Sequence, residues 1–482
     1  MKKYNLFTLI TIIVTLPIVL FSDTVWENFY GSTGNDTGYK VLECTDGGFI
    51  ALGDYNYNYS SQNSDIYIIK TTQDGVIEWE KIYGGTQGDF ALDGIYLDDF
   101  DETIIAGYTH SYGEDIRNAY LLKINSSGDS LWQKTYGMRN YNVFHNVIRT
   151  SDNNLIMSGE CSVNGPNNDC YIVKTDLEGE IIWEYTFGGD LSDSAYNAIE
   201  HPENGYIIIG TTRSSGAGMS DILIFKLDNN GQLQWEKTYG GTANEWGFSG
   251  IKTTENNIII NGMTSSFGNG NDDVYLLKLN SDGDSLWTKT YGGSGKDWCF
   301  GISLDSLGNI ILTGETNSFG NGLEGYYIKI DSSGNFIEDK VFGTEGEDGF
   351  RNVLITDNGS YLFIGGANST STEQNDLWLL KYSPVTNSID QKFIKKKGII
   401  TSNYPNPFNP STNIEYILEF QSDVIIKISD NLGKLVKTVN LSNQNPGKHS
   451  YQLDGKKYTS GTYYYKIITD NDFKVNKMQL IK

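Results

Sequence analysis

Histidine and cysteine are scarce here, four of each in 482 residues. His110, His145, His201 and His449 lie in separate repeats or in the tail, so no histidine cluster forms a metal site. The four cysteines describe neither a disulfide framework nor a zinc site. Only Cys161 and Cys170 flank one short loop, "SVNGPNND", and export makes a disulfide between them an expectation. Cys44 and Cys299 read as small core residues. Proline is also sparse: three of the eight fall in the single stretch "YPNPFNP" (Tyr404–Pro410). No stretch holds a sustained helical period, and no nucleophile elbow or phosphate loop occurs.

Positive charge is short as well. Lys and Arg number 36 against 60 acids, a formal net charge of −24. The deficit is local. Residues 383–397 hold four lysines and one acid, residues 398–482 ten lysines and seven acids, and residues 23–382 carry about −32. Such a surface repels phosphate backbones, which excludes nucleic acid as a partner, and it tolerates cations.

Long apolar runs are absent after the first residues. "MKKYNLFTLITIIVTLPIVLFSD" places two lysines before an apolar run from Leu6 to Phe21, with Ser22 as a small residue ahead of a cleavage point. This reads as a secretory signal peptide over residues 1–22. An uncleaved anchor is the rival, but the run is short for a span. No membrane span is expected after cleavage.

What the chain has in abundance is Gly (54), Tyr (32) and repetition. "WEKTYGG" from Trp235 recurs as "WEKIYGG" from Trp79, "WQKTYGM" from Trp132, "WEYTFGG" from Trp183 and "WTKTYGG" from Trp287. With Trp26 the intervals are 53, 53, 51, 52 and 52 residues, and a copy without the Trp follows 51 later at Glu338. Each unit holds four strand-like stretches joined by Gly-, Asn- and Asp-rich turns, as in "WEKTYG", "EWGFSGIKTT", "NIIINGMTS" and "DDVYLLKLN". Four antiparallel strands repeated at this period predict an all-β fold, a seven-bladed β-propeller over residues 23–382. A linear solenoid usually repeats in shorter units. The first copy begins with a W-strand and the last lacks one, so the N-terminal strand is expected to complete the last blade.

Residues common to all blades read as scaffold, and departures from the repeat as site candidates. The innermost strand of each blade starts with Asp36, Asp89, Asn142, Asp193, Glu245, Asp297 or Asp348. These acids either cap their own crossing or form a carboxylate ring able to hold Ca²⁺. Beside them the repeat breaks. Phe90, Trp246 and Trp298 follow directly, and His145 and Arg351 come three later. They either pack beneath loops or contact a ligand. The longer loops on this face vary between copies, and variable loops on a rigid frame are where binding residues concentrate.

The repeats resemble β-propeller repeats of exported bacterial proteins. They differ from sialidase Asp-boxes: Asp74 and Gly75 are adjacent and Trp79 follows four after the glycine. After a basic linker (383–402) the texture changes. "YPNPFNP", "DNLGKLV", "PGKHSYQLDG", "SGTYYYKI" and the closing "KMQLIK" resemble the type A C-terminal sorting domain of type IX secretion. The resemblance covers residues 403–482. It implies a small immunoglobulin-like β-sandwich, contact with the type IX machinery, and delivery through the periplasm to the cell surface or the medium. The expected role of the propeller is non-catalytic binding of an extracellular glycan or protein. A polysaccharide-acting enzyme and a structural surface component are the alternatives, and no catalytic set is legible.

Overall fold

The computed structural model describes residues 24–384 and 400–482, except 59–60, 62, 139, 163–166, 202, 345, 369–373, 419–421, 431–433, 446 and 470–472. The expected leader and most of the linker lie outside the described residues. The chain divides into two compact units, residues 1–389 and 390–482.

The first unit holds seven four-stranded antiparallel sheets. In six, the strands are consecutive in the chain, as in Glu245–Lys252, Ile258–Thr264, Asp273–Leu279 and Ser285–Tyr291. The seventh joins Gly349–Ile355, Tyr361–Ala367 and Asp376–Tyr382 to Thr24–Tyr30 from the other end of the unit. Glu27 pairs with Leu380 and Phe29 with Trp378, so the N-terminal strand closes the ring as expected. We call the strands a to d from the channel outwards. Strands b and c lie between neighbouring blades and are buried on both faces. They accordingly read as unbroken apolar runs, such as "YIIIGTT" and "DVYLLKL". Strand d is the outer edge and alternates exposed with half-buried residues.

The repeated phrase is the joint between blades. Trp235 packs under the next blade's c–d hairpin, whose Gly283 has φ +79°; a Cβ there would sit 2.7 Å from the indole. Only glycine meets both demands. Lys237 reaches the same hairpin, 2.7 Å from an Asp284 carboxylate oxygen, and the Tyr239 hydroxyl donates to the Gly283 carbonyl. Tyr30 donates to Gly75 in the same way at 2.5 Å, so the joint also spans the ring closure. Glu338, where the Trp is lost, belongs to the sixth blade. The seventh blade takes its outer strand from the N-terminus and has no c–d hairpin to cover an indole. Glu338 instead accepts the Tyr327 hydroxyl at 2.9 Å.

The disulfide expectation is corrected. All four cysteines are buried free thiols. Cys161 stands opposite Asp169 and Cys170 opposite Glu160, one step out of register. Adjacent strand positions face opposite sides of a sheet. Cys161 packs with Phe144 and Tyr171, and Cys170 with Ile172 and Ala195, in separate inter-blade cores.

The second unit is two sheets over one core. Ile400–Tyr404, Ser411–Leu418 and Gly447–Asp454 form one; Leu435–Gln444, Ser422–Asp430, Gly461–Ile468 and Phe473–Leu480 form the other. Ile414 and Tyr416 of the first meet Val424, Ile426, Tyr465 and Ile467 of the second. Phe408, from "YPNPFNP", inserts between them at 2% exposure.

Candidate functional site

The crossing acids serve their own crossings. Asp89 accepts from Gly85 N at 2.7 Å, from Ser111 Oγ at 2.7 Å and from the Thr109 hydroxyl. Glu245 accepts from Gly241 N (2.6 Å), Thr264 Oγ1 (2.7 Å) and Ser266 N (3.1 Å). Asp36, Asp193, Asp297 and Asp348 accept from the backbone N–H of Ser32, Gly189, Gly293 and Thr344 respectively. Each of these acids is at most 1% exposed. Among the described residues no group of three or more His, Cys, Asp or Glu is placed to hold a metal ion. The set does not fit a calcium ring, because apart from Asp193 Oδ1 the carboxylate oxygens already face donors of their own crossings and loops.

A second series of acids stands beside the first. An acid lies at or near the start of strand c in six of the seven blades: Asp65, Asp169, Asp221, Asp273, Glu324 and Asp376. Four of them meet a crossing acid across the first glycine of the repeated phrase, at Gly84, Gly240, Gly292 and Gly343. A Cβ on Gly240 would lie 2.0 Å from Asp221 Oδ1 and 2.6 Å from Glu245 Oε2. Burial and the neighbouring Asp89 raise the Asp65 carboxyl above its usual range, and burial with Asp193 does the same to Asp169. Their mark in the sequence is an acid shortly before six of the seven "YLLK"-like stretches, which a comparison of strand a alone passes over.

Every strand a carries a β-bulge three residues after its crossing position. The bulged residues are Tyr39, Leu92, His145, Tyr196, Phe248, Phe300 and Arg351. A bulge re-aims the extra side chain out of the ladder. Here these side chains meet one another round the channel. His145 lies 5.0 Å from Tyr196, Tyr196 6.3 Å from Phe248, and Phe248 5.1 Å from Phe300, between ring centroids. The Arg351 guanidinium covers Phe300 at 4.5 Å. The next residues form a polar belt that ties blade to blade. Lys40 pairs with Asp93 at 2.9 Å, Asp93 accepts from Asn146 and Val147 N, and Asn146 accepts from Ala198 N.

Separate cavities flank this girdle. The lower one, about 780 Å³, is lined by the polar belt and by aliphatic residues such as Ile95, Ile148 and Ile199. The upper one, about 390 Å³, lies on the face of the crossings and b–c loops. It is lined by Tyr39, Asp54, Phe90, Tyr108, Glu315 and Arg351, among others. Phe90 stacks on Tyr108 at 4.5 Å, and the opposite wall of the same stack is Arg117, 4.2 Å from Tyr108 and 4.0 Å from Tyr141. Glu315 binds Arg351 at 3.0 Å and Lys296 at 3.2 Å. Asp54 is 4% exposed and takes one hydrogen bond, from the Tyr39 hydroxyl to Oδ2 at 2.9 Å. Its Oδ1 has no partner among the described residues. Burial pushes this carboxyl up to about 8.

The five ligand candidates thus fall in three places. Phe90 and Arg351 line the upper cavity. Trp246 and Trp298 pack on each other at 5.9 Å elsewhere on the wall; their indole N–H groups donate to Ser220 (3.0 Å) and Asp272 (3.3 Å). Lys296 Nζ covers Trp298 at 3.4 Å. His145 sits in the girdle 4.0 Å from Glu160, and burial lowers its affinity for a proton. Asp54, Tyr108 and Glu315 were missed. Each follows a glycine that recurs on strand b ("GD", "GY", "GE"), and variation just after a recurrent glycine is the mark they left in the sequence.

Residues 402–482 match the family described as the secretion system C-terminal sorting domain. Residues 286–322 match the β-propeller repeat family. This is an exported β-propeller protein with a type IX sorting tail. It is secreted or held at the cell surface and travels there through the periplasm. The regulatory protein FlaEY of Caulobacter vibrioides is 22% identical over 205 residues; these are 37% of the sorted propeller protein but 21% of FlaEY. It therefore spans about a fifth of that relative. A copper-bound fungal alcohol oxidase of the AA5 family aligns at TM-score 0.50 and 12% identity, over 96% of this chain and 100% of that one. A protein of unknown function from Dyadobacter fermentans aligns at 0.44 and 12%, over 75% and 98%. Likeness at this identity concerns the fold alone.

Proposed function

We propose that the propeller is a non-catalytic module that binds an extracellular glycan in the upper cavity of the channel. The observation that carries this reading is the convergence of an aromatic wall, Phe90 on Tyr108, with the polar groups of Tyr39, Asp54 and Arg351 on one concave site. Apolar ring faces beside a few fixed hydrogen-bonding groups are the makings of a saccharide site. The walls are rigid: Phe90 is held by Tyr108, and Arg351 by Glu315 and Phe300. The sorting tail supplies delivery and the propeller supplies the contact made outside the cell.

The test is a glycan array probed with the secreted protein, followed by calorimetry on hits. Phe90→Ala and Arg351→Ala should each weaken binding at least about tenfold. Trp235→Ala, at a blade joint, should leave the affinity unchanged. Release of new reducing ends from a bound polysaccharide would replace this reading with a catalytic one. Removal of residues 402–482 should leave the propeller in the periplasm.

A further inference from the structure

The upper cavity is short of positive charge where it is deepest. Its lining includes Asp54, Glu315, Glu347 and Asp348, against one base, Arg351. That base is engaged by Glu315, which Lys296 also binds. Asp348 serves its own crossing. Glu347 is exposed to solvent. Asp54 remains: a carboxyl nine-tenths buried, with one oxygen held by Tyr39 and the other unpartnered among the described residues. A buried carboxyl without a cation is an uncompensated cost. Beside it stand the rings of Tyr57 and Phe90, whose π-faces attract cations, and Tyr108, which already carries Arg117. The titratable and charged groups around Asp54 are Tyr39, Asp36 and Tyr108, and beyond them Arg351, which Glu315 engages, and Arg117, which is stacked between Tyr108 and Tyr141 and donates to His110; neither of these cations bonds Asp54.

We propose that the upper cavity selects a glycan unit bearing a free primary ammonium, a deacetylated 2-amino sugar, with Asp54 as the counter-charge and the ring of Phe90, backed by Tyr108, as the stacking face. This rests on the proposed glycan binding and adds to it the charge of the ligand. A neutral hexose satisfies the aromatic wall but leaves Asp54 in its protonated form, with no charge-assisted contact to the ligand. An ammonium group satisfies both. N-acetylation removes the charge and adds bulk, so the acetylated sugar is the discriminating comparison. Near neutral pH Asp54 holds a proton, and pairing with an ammonium displaces it into the buffer.

Calorimetry on the purified secreted protein tests this with four probes: a β-1,4-linked glucosamine tetramer, its fully N-acetylated counterpart, cellotetraose, and Nα-acetyl-lysine amide. The deacetylated tetramer is expected to bind about tenfold or more tightly than the two uncharged oligomers, the scale of one charge-assisted contact. At about pH 5.5, where both the amine and the Asp54 carboxyl carry their protons, its binding should release about one proton, read from the dependence of the heat on buffer ionisation. Asp54→Asn should erase the preference and the proton release while keeping weak binding of uncharged oligomers. The proton measurement is made on the unaltered protein and so does not depend on that variant folding. Equal or tighter binding of cellotetraose or the acetylated tetramer overturns the inference and leaves the glycan reading standing. Lysine amide binding as tightly as the glucosamine tetramer overturns the sugar assignment in favour of a basic peptide. Failure of every saccharide overturns the glycan reading and this inference together.

Discussion

The outer and inner edges of the blades are built by opposite rules. At the outer edge, strand d repeats the same side chains because each copy does the same job on the next blade. Trp235 on Gly283, Lys237 on Asp284 and Tyr239 on the Gly283 carbonyl are one such joint. At the inner edge the backbone repeats just as faithfully, down to the bulge in every strand a, but the bulged side chains do not. Tyr39, His145, Phe300 and Arg351 occupy equivalent positions and make different contacts. Identical geometry with different chemistry marks a place where the fold is satisfied by the backbone and the side chain is left to other uses. The one copy without the Trp, at Glu338, supports the rule, since its neighbour lacks the hairpin that the indole would cover.

The sharpest way to break this contrast is to damage the joint. Gly240→Ala would drive a Cβ within 2.0 Å of Asp221 and 2.6 Å of Glu245, both buried. It should cost about 3 kcal/mol, and scanning calorimetry should show a larger fall in Tm than for any other single substitution named below. Trp235→Ala removes a half-buried indole and should cost about 2 kcal/mol, less than a fully buried ring. If either change alters ligand affinity while leaving Tm intact, the division between scaffold edge and binding edge is wrong.

Inner-edge changes should show in pH dependence instead. The Asp54 carboxyl is raised to about 8 in the folded protein from an ordinary value near 4 when unfolded. The unfolded chain loses this proton first, so stability from this group is complete below about pH 4 and declines as pH rises towards 8. The slope is at most about 1.4 kcal/mol per pH unit. Asp54→Asn should flatten that part of the stability–pH curve, and an unchanged curve would show that Asp54 is better solvated than its burial implies. Tyr239→Phe removes one hydroxyl donor at a joint and should cost about 1 kcal/mol without any pH signature. The smallest expected effect is none: reducing agent should not move Tm, and thiol labelling of the denatured chain should count four free cysteines.

The fold was legible because repetition amplifies weak local signals. One "WEKTYGG" says little; the same phrase at even intervals, with the copy count and the missing last W-strand, predicts seven blades and their closure. The choice of candidate binding face rests on the sequence, where the b–c loops vary between copies while the a–b and c–d turns stay short. Single residues were less so. Phe90 and Arg351, which line the upper cavity, stand out in the sequence because they break the repeat on strand a. Asp54 and Tyr108 were missed because they lie on strand b, and pairing across the sheet brings them to the mouth (Asp54 opposite Thr37, Tyr108 opposite Phe90).

The sequence by itself determined the period, the blade, the joint and the sorting tail, because these rest on contacts made at fixed chain separation and repeated in register. Only the tertiary structure decided which departures from the repeat share a site. Of the five candidates, Phe90 and Arg351 line the upper cavity, whereas Trp246 and Trp298 pack on each other elsewhere on the wall. Cys161 and Cys170 looked like a bridge but face different blade interfaces. In both cases the outcome turns on the direction of a side chain, and direction is set by strand register and by the bulge, which composition and spacing do not encode.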